Sequence, residues 1–258
     1  MATVIKKAAR VLPIKIKDMK LCDLHTHILP GVDDGAPTME YALQMLRNAV
    51  ASDVELLAVT PHYNIPSDSG EHLYQSLQDS FLQFQQAAKD ISLRLVPGAE
   101  ILADEYLPQR LRQGSVPTIN DSRYLLTEFP ANTVAEDFAP ILQGILSCGY
   151  IPLIAHPERY TAVCEMPQTV MPWLDMGCHL QLTGGSIMGE YGKYVQRAAT
   201  TLLQQDLVAC VASDAHGLHH RSNFLLDVYD HLTLRYSKRY AQCLMYETPM
   251  GICCDYDI

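Results

Sequence analysis

The chain has 258 residues, 48% of them hydrophobic, and a formal net charge of −10. That length and apolar fraction suit one α/β barrel with a substantial core, and the acidic balance argues against general affinity for nucleic-acid phosphates or an anionic membrane. Eight cysteines include no C-x-x-C pair and lie mostly in apolar runs, so the expected compartment is reducing and cytoplasmic.

Residues 1–20, MATVIKKAARVLPIKIKDMK, hold six basic residues and one acid without a continuous apolar segment. They read as a basic extension ahead of a barrel domain over 21–258, with docking to an acidic partner as an alternative use. The first strand is expected at 20–26 (KLCDLHT). A helix follows over 38–51, with Thr38 as N-cap and Ala42, Leu43, Leu46 and Val50 at helical spacing. Further strands are expected at 55–61, 93–100, 123–129, 151–156, 178–183 and 207–213, and helices at 72–90, 104–113, 134–148, 191–205 and 221–235. The strands are near-continuous apolar runs, as parallel strands buried on both faces require. Seven β-then-α units favour a barrel over an open doubly wound sheet, and neither glycine-rich phosphate loop, G-x-G-x-x-G or G-x-x-x-x-G-K-[ST], occurs. No stretch is long and apolar enough to span a bilayer, and Cys253-Cys254 near the C-terminus is not a C-a-a-X lipidation ending.

The strand ends carry the chemistry. The first ends at His25 and His27, which share a face at i and i+2. The second ends at Thr60-Pro61-His62, the third at Gly98-Ala99-Glu100 and the fourth at Glu128. The fifth ends at His156-Pro157-Glu158-Arg159 and the seventh at Ser213-Asp214-Ala215-His216. Asp33 or Asp34 joins them from the first loop. In a barrel these ends converge on one mouth. Imidazoles and carboxylates together suit zinc, manganese or iron(II), and nine candidates exceed the roughly four to six ligands of one ion. They suit two or three divalent metals, a composition that assists in-line displacement at phosphorus. Structural ion pairs account for one or two acids at the ends of buried strands, not for a whole rim. His72, His179, His219, His220 and His231 read as ordinary surface or core residues. No cysteine has an arginine six positions on, and neither G-x-S-x-G nor H-E-x-x-H occurs, so a thiol or serine nucleophile is not expected.

DLHTHILPGVDDG, VTPH, GAEI, LTEF, IAHPERY and ASDAH resemble the motifs of the PHP (polymerase and histidinol phosphatase) superfamily. The segments VPTINDSRY (116–124) and QLTGGSIMGEYG (181–192) add to a resemblance running from about Leu21 to Thr248. Within the superfamily the chain looks most like the bacterial metal-dependent protein-tyrosine phosphatases of capsule and exopolysaccharide operons, the CpsB/YwqE type. The resemblance implies a distorted TIM-like (β/α)7 barrel. It implies metal ligands at His25, His27, Asp34, His62, Glu100, Glu128, His156, Asp214 and His216, with Asp33 as the alternative to Asp34. The metals would be manganese first, with iron or zinc as alternatives. Catalytic work would fall to Arg159, His156, Asp214 and His216, with Arg159 holding the phosphate in its planar fork; structural pairing of Arg159 with an acid is the competing role. The implied substrate is a tyrosine-phosphorylated protein, a bacterial tyrosine autokinase that regulates capsule synthesis. A histidinol-type small-molecule phosphatase is the alternative enzyme, and a kinase-docking module without activity the alternative of another class. Tyr63 and Tyr160, directly after His62 and Arg159, are candidate pocket walls or plain packing residues. The chain departs from the pattern in residues 1–20 and at Thr248-Pro249, where Asn-Pro is expected.

Overall fold

A computed structural model describes residues 20–63, 70–114 and 116–258. The expected basic extension therefore lies outside the described residues, apart from Lys20. Among the described residues there are nine strand segments: β1 (Leu21–Asp23), β2 (Val54–Val59), β3 (His62–Tyr63), β4 (Arg94–Pro97), β5 (Glu100–Leu102), β6 (Tyr124–Glu128), β7 (Ile151–Ala155), β8 (His179–Thr183) and β9 (Cys210–Ala212). All pair in parallel, in the orders β1-β2-β4 and β3-β5-β6-β7-β8-β9.

These nine segments are seven strands, two of them bent. Pro61 interrupts the second and the Pro97-Gly98 pair interrupts the third, because proline has no N–H for the ladder. Pairing resumes past the bend, where Glu100 N–H donates to the Pro61 carbonyl at 3.0 Å. A side chain at Gly98 would meet Thr60 Cγ2 at 3.0 Å, so glycine permits the strands to stay close. The ring closes through a parallel bridge between Thr26 and Ala215. There His27 N–H donates to the Ala215 carbonyl and Asp214 N–H to the His25 carbonyl, each at 2.8 Å. The expected distorted seven-stranded barrel is the observed fold. The first and last strands are shorter than expected: past Asp23 and Ala212 their ends are held by these closing bonds and, at Thr26, by Thr60, whose N–H donates to the Thr26 carbonyl at 2.9 Å.

Alternation along each strand divides the core in two. Leu57, Val59, Leu125, Ile154, Leu180 and Val211 face the helices. Leu56, Ala58, Tyr124, Leu126, Leu153 and Cys210 fill the barrel interior. Burial on both faces is the reason for the apolar runs.

The long helices are α1 (Met39–Ala51), α2 (Gly70–Ala87), α3 (Leu107–Gln113) and α4 (Ala135–Ser147). The short α5 (Thr161–Glu165), α6 (Met171–Asp175) and α7 (Gly184–Met188) follow. Then come α8 (Lys193–Gln204) and α9 (Leu225–Arg235). Thr38 caps α1 as expected, its hydroxyl accepting from Tyr41 N–H at 3.3 Å. The buried stripe of α1 is Ala42, Met45, Leu46 and Ala49, whereas Val50 is 37% exposed. The expected stripe was one position out of phase at its C-terminal end.

The C-terminal segment runs through α10 (Lys238–Gln242), a π-helical turn at Cys243–Glu247 and α11 (Thr248–Cys253). It seals the N-terminal end of the barrel. Ile252 and Cys253 join the interior cluster, Tyr246 donates to Glu55 Oε1 at 2.8 Å, and Tyr124 donates to the Tyr256 carbonyl at 2.6 Å. Pro249 sits in the first turn of α11, where proline is compatible with a helix. Cys253 is packed in this floor and only Cys254 is exposed. Among the described residues no helix is long and apolar enough to cross a membrane.

Candidate metal centre and active site

The opposite end of the barrel gathers the imidazoles and carboxylates. His25 and His27 project inward past the end of β1, with their Nε2 atoms 3.1 Å apart. Glu100, at the start of β5, sits among the histidines. Its Oε2 lies 3.3 Å from His25 Nε2, 3.2 Å from His27 Nε2 and 3.1 Å from His62 Nδ1, and its Oε1 is 2.7 Å from His156 Nε2. Glu128 Oε1 lies 3.4 Å from His62 Nδ1. Asp214 Oδ1 lies 3.4 Å from the Nε2 atoms of both His25 and His27. Asp34 Oδ1 approaches His216 Nε2 at 3.3 Å and His62 Nε2 at 3.5 Å. All nine expected residues thus meet in one cluster.

The two adjacent aspartates have different positions. Asp33 turns inward and accepts from His27 Nδ1 at 2.8 Å, from His62 N–H at 3.0 Å and from Gly35 N–H at 3.0 Å. Asp34 faces the outer imidazoles with a side chain 64% exposed. The glycine after them is a steric requirement: a Cβ at Gly35 would lie 1.8 Å from the His27 carbonyl oxygen.

Residues behind the cluster aim it. Gln181, pointing into the barrel from β8, accepts from His25 Nδ1 at 2.8 Å. With Nδ1 held by Gln181 or Asp33, His25 and His27 both present Nε2 to the centre. Asp23 is fully buried and accepts from Ser213 N–H at 2.9 Å, tying β1 to the end of β9. Burial pushes its carboxyl up to about 6, against the hydrogen bonds from Ser213. His156, Asp214 and Arg221 have φ of 34°, 54° and 48°. Left-handed conformations at non-glycine residues cost about 1–3 kcal/mol each and persist where surrounding structure holds them.

Imidazoles and carboxylates of the cluster shift one another's proton affinity. Burial works against ionising Glu100 and Asp214. His25, with His156 beside Glu100 and with His27 and Arg159 beside Asp214, nonetheless holds both carboxyls well below the usual range. Burial likewise disfavours charge on His27, but Asp214, Asp33 and Glu100 raise it well above the usual value. His62 is raised to about 10, Glu100 and Glu128 overcoming burial. His216 goes the other way, pushed down to about 4 by burial and by the charge of His27.

Three groups have ligand atoms close enough to share an ion: His27, Asp34, His62 and His216; His25, His27 and Glu100; and His62, Glu100 and Glu128. His62 Nδ1, Glu100 Oε2, His156 Nδ1 and His216 Nε2 are buried without a hydrogen-bond partner. Imidazole nitrogens and carboxylate oxygens without a partner are the atoms that a divalent transition metal takes as ligands. The site fits metal.

Two guanidiniums border the cluster. Arg159 donates to Asp214 Oδ2 at 2.6 Å and to Thr183 Oγ1 at 2.9 Å, and its guanidinium carbon lies 3.9 Å from the centre of the Tyr191 ring. Arg221 donates to both oxygens of Asp214 at 2.8 and 2.9 Å. Nε of each arginine is buried and unpartnered. Arg221 was expected inside a helix beginning at residue 221, but α9 begins at Leu225 and Arg221 lies in the mouth loop. An arginine five residues past His216, in a loop at the barrel mouth, was the available signal. For Gln181 the signal was a polar residue inside a buried strand.

The candidate pocket walls, Tyr63 and Tyr160, are not at the surface. Tyr63 is 0% and Tyr160 1% exposed. The Tyr160 hydroxyl donates to the Ala155 carbonyl and accepts from Phe129 N–H. Of the five histidines read as ordinary, His72, His219, His220 and His231 are exposed, and His179 is partly buried on β8.

Residues 21–253 match the family model for capsular polysaccharide synthesis, CpsB/CapC. The chain is 32% identical to the tyrosine-protein phosphatase CpsB of Streptococcus pneumoniae, over 91% of this chain and 99% of that protein. It is 33% identical to the tyrosine-protein phosphatase YwqE of Bacillus subtilis, over 78% of this chain and 80% of that protein. A solved structure from the pair YwqE of Bacillus subtilis and CpsB of Streptococcus pneumoniae, described as metal-dependent tyrosine phosphatases, superposes with a TM-score of 0.85 at 29% identity, covering 92% of this chain and 96% of the other. By this match across nearly the whole barrel, the chain belongs to the CpsB/CapC family of capsular polysaccharide synthesis.

Proposed function

We propose that this chain is a metal-dependent protein-tyrosine phosphatase that hydrolyses phosphate monoesters on a bacterial tyrosine autokinase and so regulates capsule or exopolysaccharide synthesis. The observation that carries the reading is the pairing of a buried imidazole–carboxylate cluster with two arginines that each keep an unpartnered Nε–H. The named activities of CpsB and YwqE support it. Eight free cysteines are in keeping with a reducing cytoplasm.

His25, His27, Asp34, His62, Glu100, Glu128, His156, Asp214 and His216 would hold two or three divalent metals, manganese first and iron or zinc as alternatives. When bound, such metals supply Lewis acidity and activated water at neutral pH. Asp33 and Gln181 hold the imidazoles of His27 and His25 in the orientation ligation requires. Arg159 and Arg221 offer their forks to the phosphate oxygens and offset the charge that builds there. Asp214 keeps both guanidiniums at the edge of the cluster until an anion arrives. A tyrosine leaving group has a pKa of about 10, so it departs with less proton donation than an alkoxide needs.

The test is hydrolysis of a phosphotyrosine peptide by manganese-loaded protein, with histidinol phosphate in parallel and chelator as control. Chelator-sensitive release from the peptide is expected, and Arg159→Ala should lower kcat by about 10²–10³-fold. Release from histidinol phosphate alone would overturn the substrate. Release from neither, with metal bound, would overturn the phosphatase.

A further inference from the structure

Tyr63 and Tyr160 are buried, and neither presents its ring as a wall of the mouth. Among the described residues one aromatic ring touches a guanidinium of the cluster, that of Tyr191 on Arg159. Its placement is built in. Tyr191 lies in the turn between α7 and α8, flanked by Gly189 and Gly192, both at φ of 90°. Left-handed backbone at two positions so close together is accessible to glycine at little cost. Glu190 N–H donates to the Gly185 carbonyl at 2.9 Å, folding the turn back on the start of α7. A Cβ at Gly185 would lie 2.9 Å from Tyr191 Cε2, so the ring packs against bare backbone there. Arg159 is thereby held by Asp214, by Thr183 and by the ring.

Tyr191 is only partly buried. An ester whose phosphate lies on Arg159 carries its organic group within reach of that ring. An aryl group gains an offset or edge-to-face contact there, while a short alkyl group does not. We propose that Tyr191 is the specificity-determining residue that selects aryl over alkyl phosphate esters, its ring being both the seat of the Arg159 guanidinium and the wall beside the ester group. This rests on the phosphatase reading above.

The experiment is calorimetric binding of phenylphosphonate and methylphosphonate to manganese-loaded protein, for wild type, Tyr191→Phe and Tyr191→Leu. Wild type should bind the phenyl compound about five- to tenfold more tightly than the methyl one. Tyr191→Phe should keep that preference, and Tyr191→Leu should bring the ratio near one. Tyr191→Met repeats the measurement with a flexible side chain if leucine disturbs the turn. A ratio that survives in Tyr191→Leu and Tyr191→Met, or an equal loss for both compounds, would overturn the proposal, as would a wild type without preference. Wild-type protein that prefers phenylphosphonate through Tyr191 yet fails to hydrolyse a phosphotyrosine peptide would leave this inference standing and remove the phosphatase reading alone.

Discussion

The two ends of the barrel are built on opposite terms. At the floor, Ile252 and Cys253 complete an apolar interior with Cys22, Leu24, Leu56 and Cys210, and Tyr246 finds Glu55. At the mouth, carboxylates and imidazoles crowd within 3–4 Å, His156 and Arg221 hold left-handed backbone, and several buried lone pairs have no partner. The floor lowers the free energy of the fold through burial. The mouth carries left-handed backbone and unpartnered buried atoms that cost free energy, and the rest of the fold keeps them in place. Such a division is expected where a rigid scaffold supports a reactive site.

The comparison breaks most sharply at Glu100, whose carboxylate touches His25, His27, His62 and His156. Glu100→Gln should abolish chelator-sensitive phosphatase activity and remove metal from the purified protein, as read by elemental analysis. Circular dichroism should still report the native fold. A Glu100→Gln protein with full metal content would refute the central position of this carboxylate.

At the floor the signs reverse. Ile252→Ala should cost about 2–5 kcal/mol of stability by leaving a cavity, measured by denaturant unfolding, while metal stoichiometry and kcat hold. A large loss of kcat at native metal content would join floor and mouth more tightly than the structure implies.

A smaller effect is expected one layer out from the cluster. Asp33→Asn weakens the hold on His27 and should lower metal affinity by about 10–100-fold, in a competition titration against a fluorescent chelator. An unchanged affinity would make Asp33 a loop residue only.

The smallest effect is in protons. In the metal-free protein His62 is raised to about 10, so its proton adds stability that is fully present below the ordinary histidine range and is lost as pH rises through about 10. At pH 7 that proton is bound, and metal must displace it. Metal binding should therefore release protons at pH 7 and strengthen with rising pH. Calorimetry in buffers of different ionisation enthalpy reads the release, and buffer-independent heats would contradict it.

Much of the mouth was visible in the chain as written. Parallel strands buried on both faces leave apolar runs, so a histidine or acid at the end of a run stands out. The i and i+2 spacing of His25 and His27, the acid after LVPGA and the acid after YLLT are local patterns, and local geometry places them. The cap at Thr38 is equally local. The phase error at Val50 was not, because which flank of a helix is covered depends on its neighbours.

What stayed hidden is whatever depends on closure. Asp33 and Asp34 are adjacent and chemically alike; the folded loop turns one inward onto His27 and the His62 N–H and leaves the other facing His62 and His216. Arg221 and Arg159 lie 62 positions apart and meet on Asp214 because β7, β8 and β9 lie side by side and end at the same mouth. Tyr63 and Tyr160 follow site residues in the chain yet point into the core, while Tyr191, far from any ligand in sequence, lies on Arg159. Residue type and strand period are properties of a short segment, and they name the donors. Contact between donors is a property of the closed ring, and only folding assigns each one its partner.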